Sequence, residues 1–187
     1  MDKRIWLLTG NPGIGKTTVM LKVVEGLKVK GYSVGGMISR EVRSRGERVG
    51  FEVLDLGSGR HGWLAHVNQP GGPRIGKYSV NINDLDNVGA EAIVKGVEGS
   101  DVICVDEIGP MELFSEKFRE AVRRAVESEK LLIGIVHWRA RDRLIDEVKA
   151  RGDAEIIVVT NENRDKLHEF VLEKAIMFLK IKKTRFF

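Results

Sequence analysis

The sequence is short of cysteine, of strong charge asymmetry and of long apolar runs, and each shortage removes a class of protein. Cys104 is the only cysteine among 187 residues. No intrachain disulfide can form, and its place in an apolar run predicts a buried thiol in an intracellular protein. The 31 basic and 27 acidic residues leave a formal charge of only +4. A nucleic-acid binder usually concentrates basic residues on one face. Here only the stretch from Lys180 to Arg185 is dense in positive charge, so a nucleic-acid partner is not expected. No uninterrupted apolar stretch approaches the length of a membrane span. A strand is predicted almost from Met1, so no signal or transit segment is expected and the chain is read as cytoplasmic. Internal repeats and low-complexity segments are missing too. What is there, 42% hydrophobic and 31% charged residues, suits one globular domain over residues 1–187, with a solvated basic tail at 180–187.

The apolar pattern alternates between strand-like and helix-like periods. Residues 5–8 predict a strand, 19–27 an amphipathic helix with Gly26 inside it, and 34–38 a second strand. Between Arg40 and Leu56, charges separate Val42, Val49, Phe51, Val53 and Leu56 around Ser44-Arg45-Gly46-Glu47, which predicts a β-hairpin. Residues 57–76, rich in Gly, His, Asn, Gln and Pro, predict loops or short edge strands, and 78–80 a further short strand. Leu85, Val88, Ala92, Ile93 and Val97 mark a helix across 83–98. A strand at 102–105, a helix from about Ser115 and a nearly all-apolar central parallel strand at 131–136 follow. A shorter helix around Leu144 and Val148 comes next. Residues 155–159 then predict the last central strand, and a final helix starts near Arg164. This alternation predicts an α/β fold, a mostly parallel sheet flanked by helices, carrying an antiparallel β-hairpin extension at about 38–80.

The densest chemical signal is Gly10-Asn11-Pro12-Gly13-Ile14-Gly15-Lys16-Thr17, followed by Thr18. Because it joins a predicted strand to a predicted helix, it would present successive backbone N–H groups to a phosphate chain. This is the P-loop pattern in its required context, and it makes nucleoside triphosphates the expected ligand. Lys16 is expected to reach the β- and γ-phosphates, and Thr17 to offer its hydroxyl to Mg²⁺. Asp106 ends an apolar strand, where open α/β sheets present ligands, and fits a second group holding Mg²⁺ directly or through water. Glu107 beside it fits the base that orients and deprotonates an attacking water; capping or ion pairing is the plainer alternative. His137, at the end of the 131–136 strand, is placed to position the γ-phosphate or the water, or else caps a helix. The charge developing on the γ-oxygens calls for further cations. The candidates are Arg40, Arg43, Arg45 and Arg48 in the hairpin, with Arg139, Arg141 and Arg143 as a mobile lid. Trp138 either shields the site or packs on the sheet rim, and Arg164 is the candidate for lining the base pocket. No guanine-reading Asn-Lys-x-Asp element occurs, which predicts little selectivity for the base.

In combination these residues resemble the small thermophile-type nucleoside-triphosphatases, a family that includes the human cancer-related nucleoside-triphosphatase. Besides the loop, the resemblance rests on Arg40-Glu41-Val42-Arg43, with Gly46 and Arg48-Val49-Gly50-Phe51, and on Leu64-Ala65. It continues through Gly76-Lys77-Tyr78-Ser79-Val80, Asp106-Glu107-Ile108-Gly109-Pro110-Met111-Glu112 and Asn163-Arg164-Asp165, spanning most of the chain. It implies a RecA-like P-loop NTPase fold that hydrolyses several ribonucleoside triphosphates with Mg²⁺. It also implies the roles argued above for Lys16, Thr17, Asp106 and Glu107, and extends to Arg43 and Arg48. The chain departs from the family pattern near Trp63 and at His137-Trp138-Arg139-Ala140, which bears on the lid and on base preference. Two other readings of the same residues are a nucleotide or small-molecule kinase, in which an acceptor replaces water, and a nucleotide-gated switch for a protein or RNA partner. A monomer is expected, with the hairpin as flap or interface.

Overall fold

In the computed structural model, which describes residues 3–184, the chain begins β1 (Ile5–Thr9), α1 (Lys16–Val29), β2 (Val34–Ser44), β3 (Glu47–Asp55), β4 (His61–His66), β5 (Arg74–Ile75) and β6 (Tyr78–Val80). A continuous helical stretch follows: α2 (Ile82–Asp84), a π-helical segment (Leu85–Ala90) and α3 (Glu91–Gly99). The rest is β7 (Val102–Ile108), α4 (Glu116–Glu127), β8 (Leu131–Val136), α5 (Arg143–Lys149), β9 (Ala154–Val158) and α6 (Leu167–Thr184). The strands form one sheet in the order β5-β6-β4-β3-β2-β7-β8-β1-β9. From β2 to β9 it is parallel, and from β2 to β5 antiparallel.

β1 and β8 carry no polar face because both of their faces are covered. Along β1, Ile5 and Leu7 point into a core shared with Ile93 of α3, Phe118 of α4 and Ile145 of α5. Trp6 and Leu8 point the other way, against Val23 of α1 and Val171 of α6. Gly26 has a packing reason to interrupt α1: a Cβ there would lie 2.4 Å from Leu172 Cδ2, so the glycine lets α1 and α6 approach closely. Cys104 is fully buried in β7, and burial pushes its thiol up to about 12.

β2 does not stop at residue 38. Val34–Met37 pair with β7, after which the strand runs on to Ser44 with β3 as its partner. The β2–β3 hairpin therefore overhangs the carboxyl edge of the parallel strands and turns back at Arg45 (φ 50°) and Gly46 (φ 84°). Part of the segment read as loop or short edge strands is a six-residue strand, β4, paired to β3.

Two further readings need correction. β9 is an edge strand, not a central one; Ile156 and Val158 are 48% and 52% exposed. α6 begins at Leu167, because Asn163 first ties the chain to the end of β9. Its Oδ1 accepts from the Thr160 N–H at 2.9 Å, and its amide donates to the Val158 carbonyl at 2.8 Å. The helix then continues through Thr184, with Leu179 still buried, so residues 180–184 of the expected tail are helical; 185–187 lie outside the described residues. No helix among the described residues is long and apolar enough to cross a membrane.

Candidate active site

Between β1 and α1 the backbone takes a path that only glycine follows easily. Gly10 has φ 148°, and a Cβ on it would sit 2.6 Å from the Val159 carbonyl oxygen. Gly15, at φ 110°, occupies the N-cap position of α1. No side chain therefore caps the first N–H groups of α1, and such a helix start favours an anion. Lys16 Nζ donates to the carbonyls of Gly10 and Asn11, each at 3.1 Å. Ile14 packs on the apolar cluster beneath, which anchors the loop.

Asp106 and Glu107 fall where β7 loses register with β8, between Val105 and Ile108, and their peptide is cis. Asp106 is 2% exposed, and its Oδ2 has no hydrogen-bond partner. Burial raises its pKa to about 7, against the opposing pull of the Thr17 hydroxyl beside it. Glu107 is half-buried; desolvation raises it, while His137 and Lys16 pull it back. Its side chain folds over Gly109, where an added Cβ would meet Oε1 at 2.5 Å. Nearby Glu112, 3% exposed, is held well above the ordinary carboxylate range by burial and by the charge of Glu107.

The overhanging hairpin supplies the facing wall. Glu41 accepts from Arg43 Nε at 2.5 Å and from Arg48 at 2.9 Å, and Arg48 Nε donates to the Tyr78 hydroxyl at 2.9 Å. The Arg48 guanidinium also lies 5.4 Å from the centre of the Phe51 ring. On the opposite side, Arg119 grips Asp142 through two bonds of 3.1 and 2.7 Å, which anchors the segment after β8 that carries His137 and Trp138.

These elements enclose one cavity of about 760 Å³. It brings together the loop glycines, Pro12, Lys16, Thr17, Thr18, Asp106, Glu107, His137 and Arg48, with Arg40 and Trp138 at its margin. It does not bring in Arg43, which turns to Glu41 and the Gly46 carbonyl, nor Arg164, which is exposed beside Asp165. The proposed lid cations stay outside as well. Arg139 lies over the Trp138 ring, and Arg143 pairs with Glu147. Sequence reasoning gave no role to Glu112, Glu41, Phe51, Leu64 or Met111, all of which line the cavity. A carboxylate between Met111 and Leu113 was the one available signal for Glu112, since an apolar setting for a charge marks a functional candidate.

An orphaned buried carboxylate oxygen beside a hydroxyl fits Mg²⁺, which is held by few protein oxygens and completes its shell with water and phosphate. Among the described residues no cluster of three or more His, Cys, Asp or Glu could hold a metal by itself, and a Mg²⁺ site of this kind requires none.

Known proteins resemble this chain over most of its length. Residues 5–172 match the family described as NTPase. The nucleoside-triphosphatase THEP1 of Thermofilum pendens is 46% identical, over 89% of this chain and 92% of that protein. The THEP1 of Methanocaldococcus jannaschii is 43% identical, over 92% of this chain and 98% of that one. Two solved structures superpose with a TM-score of 0.78: THEP1 from the hyperthermophile Aquifex aeolicus, 28% identical, and a human cancer-related nucleoside triphosphatase, 34% identical. They cover 90% and 92% of this chain, and 97% of each of those chains. The RecA-like sheet is thus a shared feature, and the chain belongs to the NTPase family of THEP1-type nucleoside-triphosphatases.

Proposed function

We propose that the protein hydrolyses nucleoside triphosphates to diphosphates and phosphate with Mg²⁺, and that Glu107 is the general base. The observation that carries this reading is the convergence of Lys16, Thr17, Asp106 and Glu107 on one cavity. The N–H groups from Gly10 to Thr18 and the Lys16 ammonium grip the phosphate chain. The Thr17 hydroxyl and the Asp106 carboxylate would hold Mg²⁺, which when bound neutralises charge on the β- and γ-phosphoryl oxygens. Glu107 takes a proton from water aligned with the γ-phosphorus; a carboxylate of raised pKa is a stronger base than an ordinary one. His137 stands where it can offset charge on the γ-oxygens, while Arg48 faces the same cavity from the hairpin wall. Arg43 acts through Glu41, which it shares with Arg48. The nucleoside lies on the β9 flank of the loop, with Arg164 near its base.

Phosphate release from ATP, GTP, CTP, UTP and the diphosphates, with and without Mg²⁺, tests the reading. Glu107→Gln is expected to keep nucleotide affinity and lose about 10²–10⁴ in kcat. Comparable turnover in that variant removes Glu107 as base, and release without Mg²⁺ removes the metal.

A further inference from the structure

The cavity holds more than hydrolysis needs. In the sheet, β8 and β7 separate β1 from β2, so Glu107 at the end of β7 stands between the phosphate loop and the hairpin. Beyond Glu107 the cavity continues past β2 and β3 to β4. That is three strand spacings, or roughly 14 Å at about 4.8 Å each. An attacking water occupies only about 30 Å³. The walls of this far part are not those of a water channel. Phe51, Leu64, Ile75 and Met111 supply apolar surface, and the Arg48 guanidinium is pre-ordered by Glu41 and Tyr78, with donors left over. Apolar walls with a few fixed polar groups are the make-up of a small-molecule site. No residue of β9 or α6 lines it, so it lies on the opposite flank from the nucleoside as placed above.

We propose that this far compartment is an acceptor subsite, taking a small aromatic alcohol with an anionic substituent and passing it the γ-phosphoryl group. The inference rests on the reading of the phosphate loop and Glu107 given above. The ring lies against Phe51 and Ile75, the anion meets Arg48, and the hydroxyl reaches Glu107. Glu107 takes the hydroxyl proton and the acceptor oxygen bonds to the γ-phosphorus. The bond from that phosphorus to the β–γ bridging oxygen breaks, and its electron pair leaves with the nucleoside diphosphate. Hydrolysis is then the same displacement with water in the compartment.

The probe is 4-(hydroxymethyl)benzoate, incubated with the full chain, ATP and Mg²⁺. The phosphate ester and free phosphate are both quantified by ³¹P NMR and mass spectrometry. A bound acceptor gains effective concentration, so the ester-to-phosphate ratio should exceed the probe-to-water ratio by about tenfold or more. Ile75→Trp, on the short half-buried strand β5, fills the compartment, and Phe51→Leu removes the ring. Each should lower the ester-to-phosphate ratio by about tenfold, in line with the loss of effective concentration. Free phosphate with ester no higher than the solution ratio overturns the subsite and leaves the hydrolytic reading standing. An unchanged ratio in both variants also overturns it. So does a large rise in the Michaelis constant for ATP in Ile75→Trp, which would assign the compartment to the nucleoside. Wild type that yields no ester and no free phosphate overturns the hydrolytic reading, and with it the subsite that rests on it.

Discussion

Asp106 shows how much a single buried atom can specify. Its carboxylate is kept out of water and has a folded pKa of about 7, above the ordinary 3.8. Below pH 4 both the folded and the unfolded chain hold the proton, and the group costs nothing. As pH rises towards 7 the unfolded chain ionises first, so stability falls; above about 7 the cost is constant. Without metal or nucleotide, Asp106→Asn should therefore be more stable than wild type. The gain should grow between pH 4 and 7 and level off on the order of 4 kcal/mol. Urea denaturation at pH 4, 6 and 8 measures this, and a gain that shrinks with rising pH contradicts it. Gly109 specifies position in a similar way. Gly109→Ala pushes on the flexible end of Glu107 rather than on backbone, so thermal stability should hold while kcat falls. A displacement of about 1 Å can cost on the order of 10²-fold; an unchanged kcat would show that the carboxylate has room to spare. The phosphate loop was legible in the sequence because its residues are contiguous. Glu41 and Phe51 were not, because only the overhang of β2 and β3 brings them to the cavity that Glu107 lines.

Among the elements, α1 and α6 carry the clearest test of packing. Gly26→Ala gains up to about 1 kcal/mol of helix propensity but drives a methyl into Leu172. Overpacking of this kind typically costs about 1–3 kcal/mol. A net loss of roughly 1 kcal/mol is expected, read as a lower denaturant midpoint at unchanged slope. A higher midpoint would mean that α6 gives way. Periodicity revealed β8 and the hairpin turn at 44–47 because each has an unbroken local pattern. It missed β4, whose His61-Gly62-Trp63 start has no alternation and which forms by pairing with β3. It misplaced β9, because exposed Ile156 and Val158 spell the same apolar run as a buried strand. Sheet position depends on which neighbours arrive, and no single segment records that.

For the molecule as a whole, ligand and fold should be linked. Nucleotide with Mg²⁺ at about one hundred times its dissociation constant adds roughly 2.7 kcal/mol to the folded state. In a chain of this size that corresponds to about 5–10 °C in melting temperature. Lys16→Ala should lose most of the shift, and a shift of equal size in that variant would place the phosphates elsewhere. The sheet explains why the effect is global: the phosphate loop leaves β1, between β8 and β9, and its acids come from β7 in the same sheet. The Lys16 ammonium donates to the carbonyl oxygens of Gly10 and Asn11. Trading neutral acceptors for anionic ones strengthens each bond, so a bound polyphosphate is expected to draw the ammonium off the loop's own oxygens.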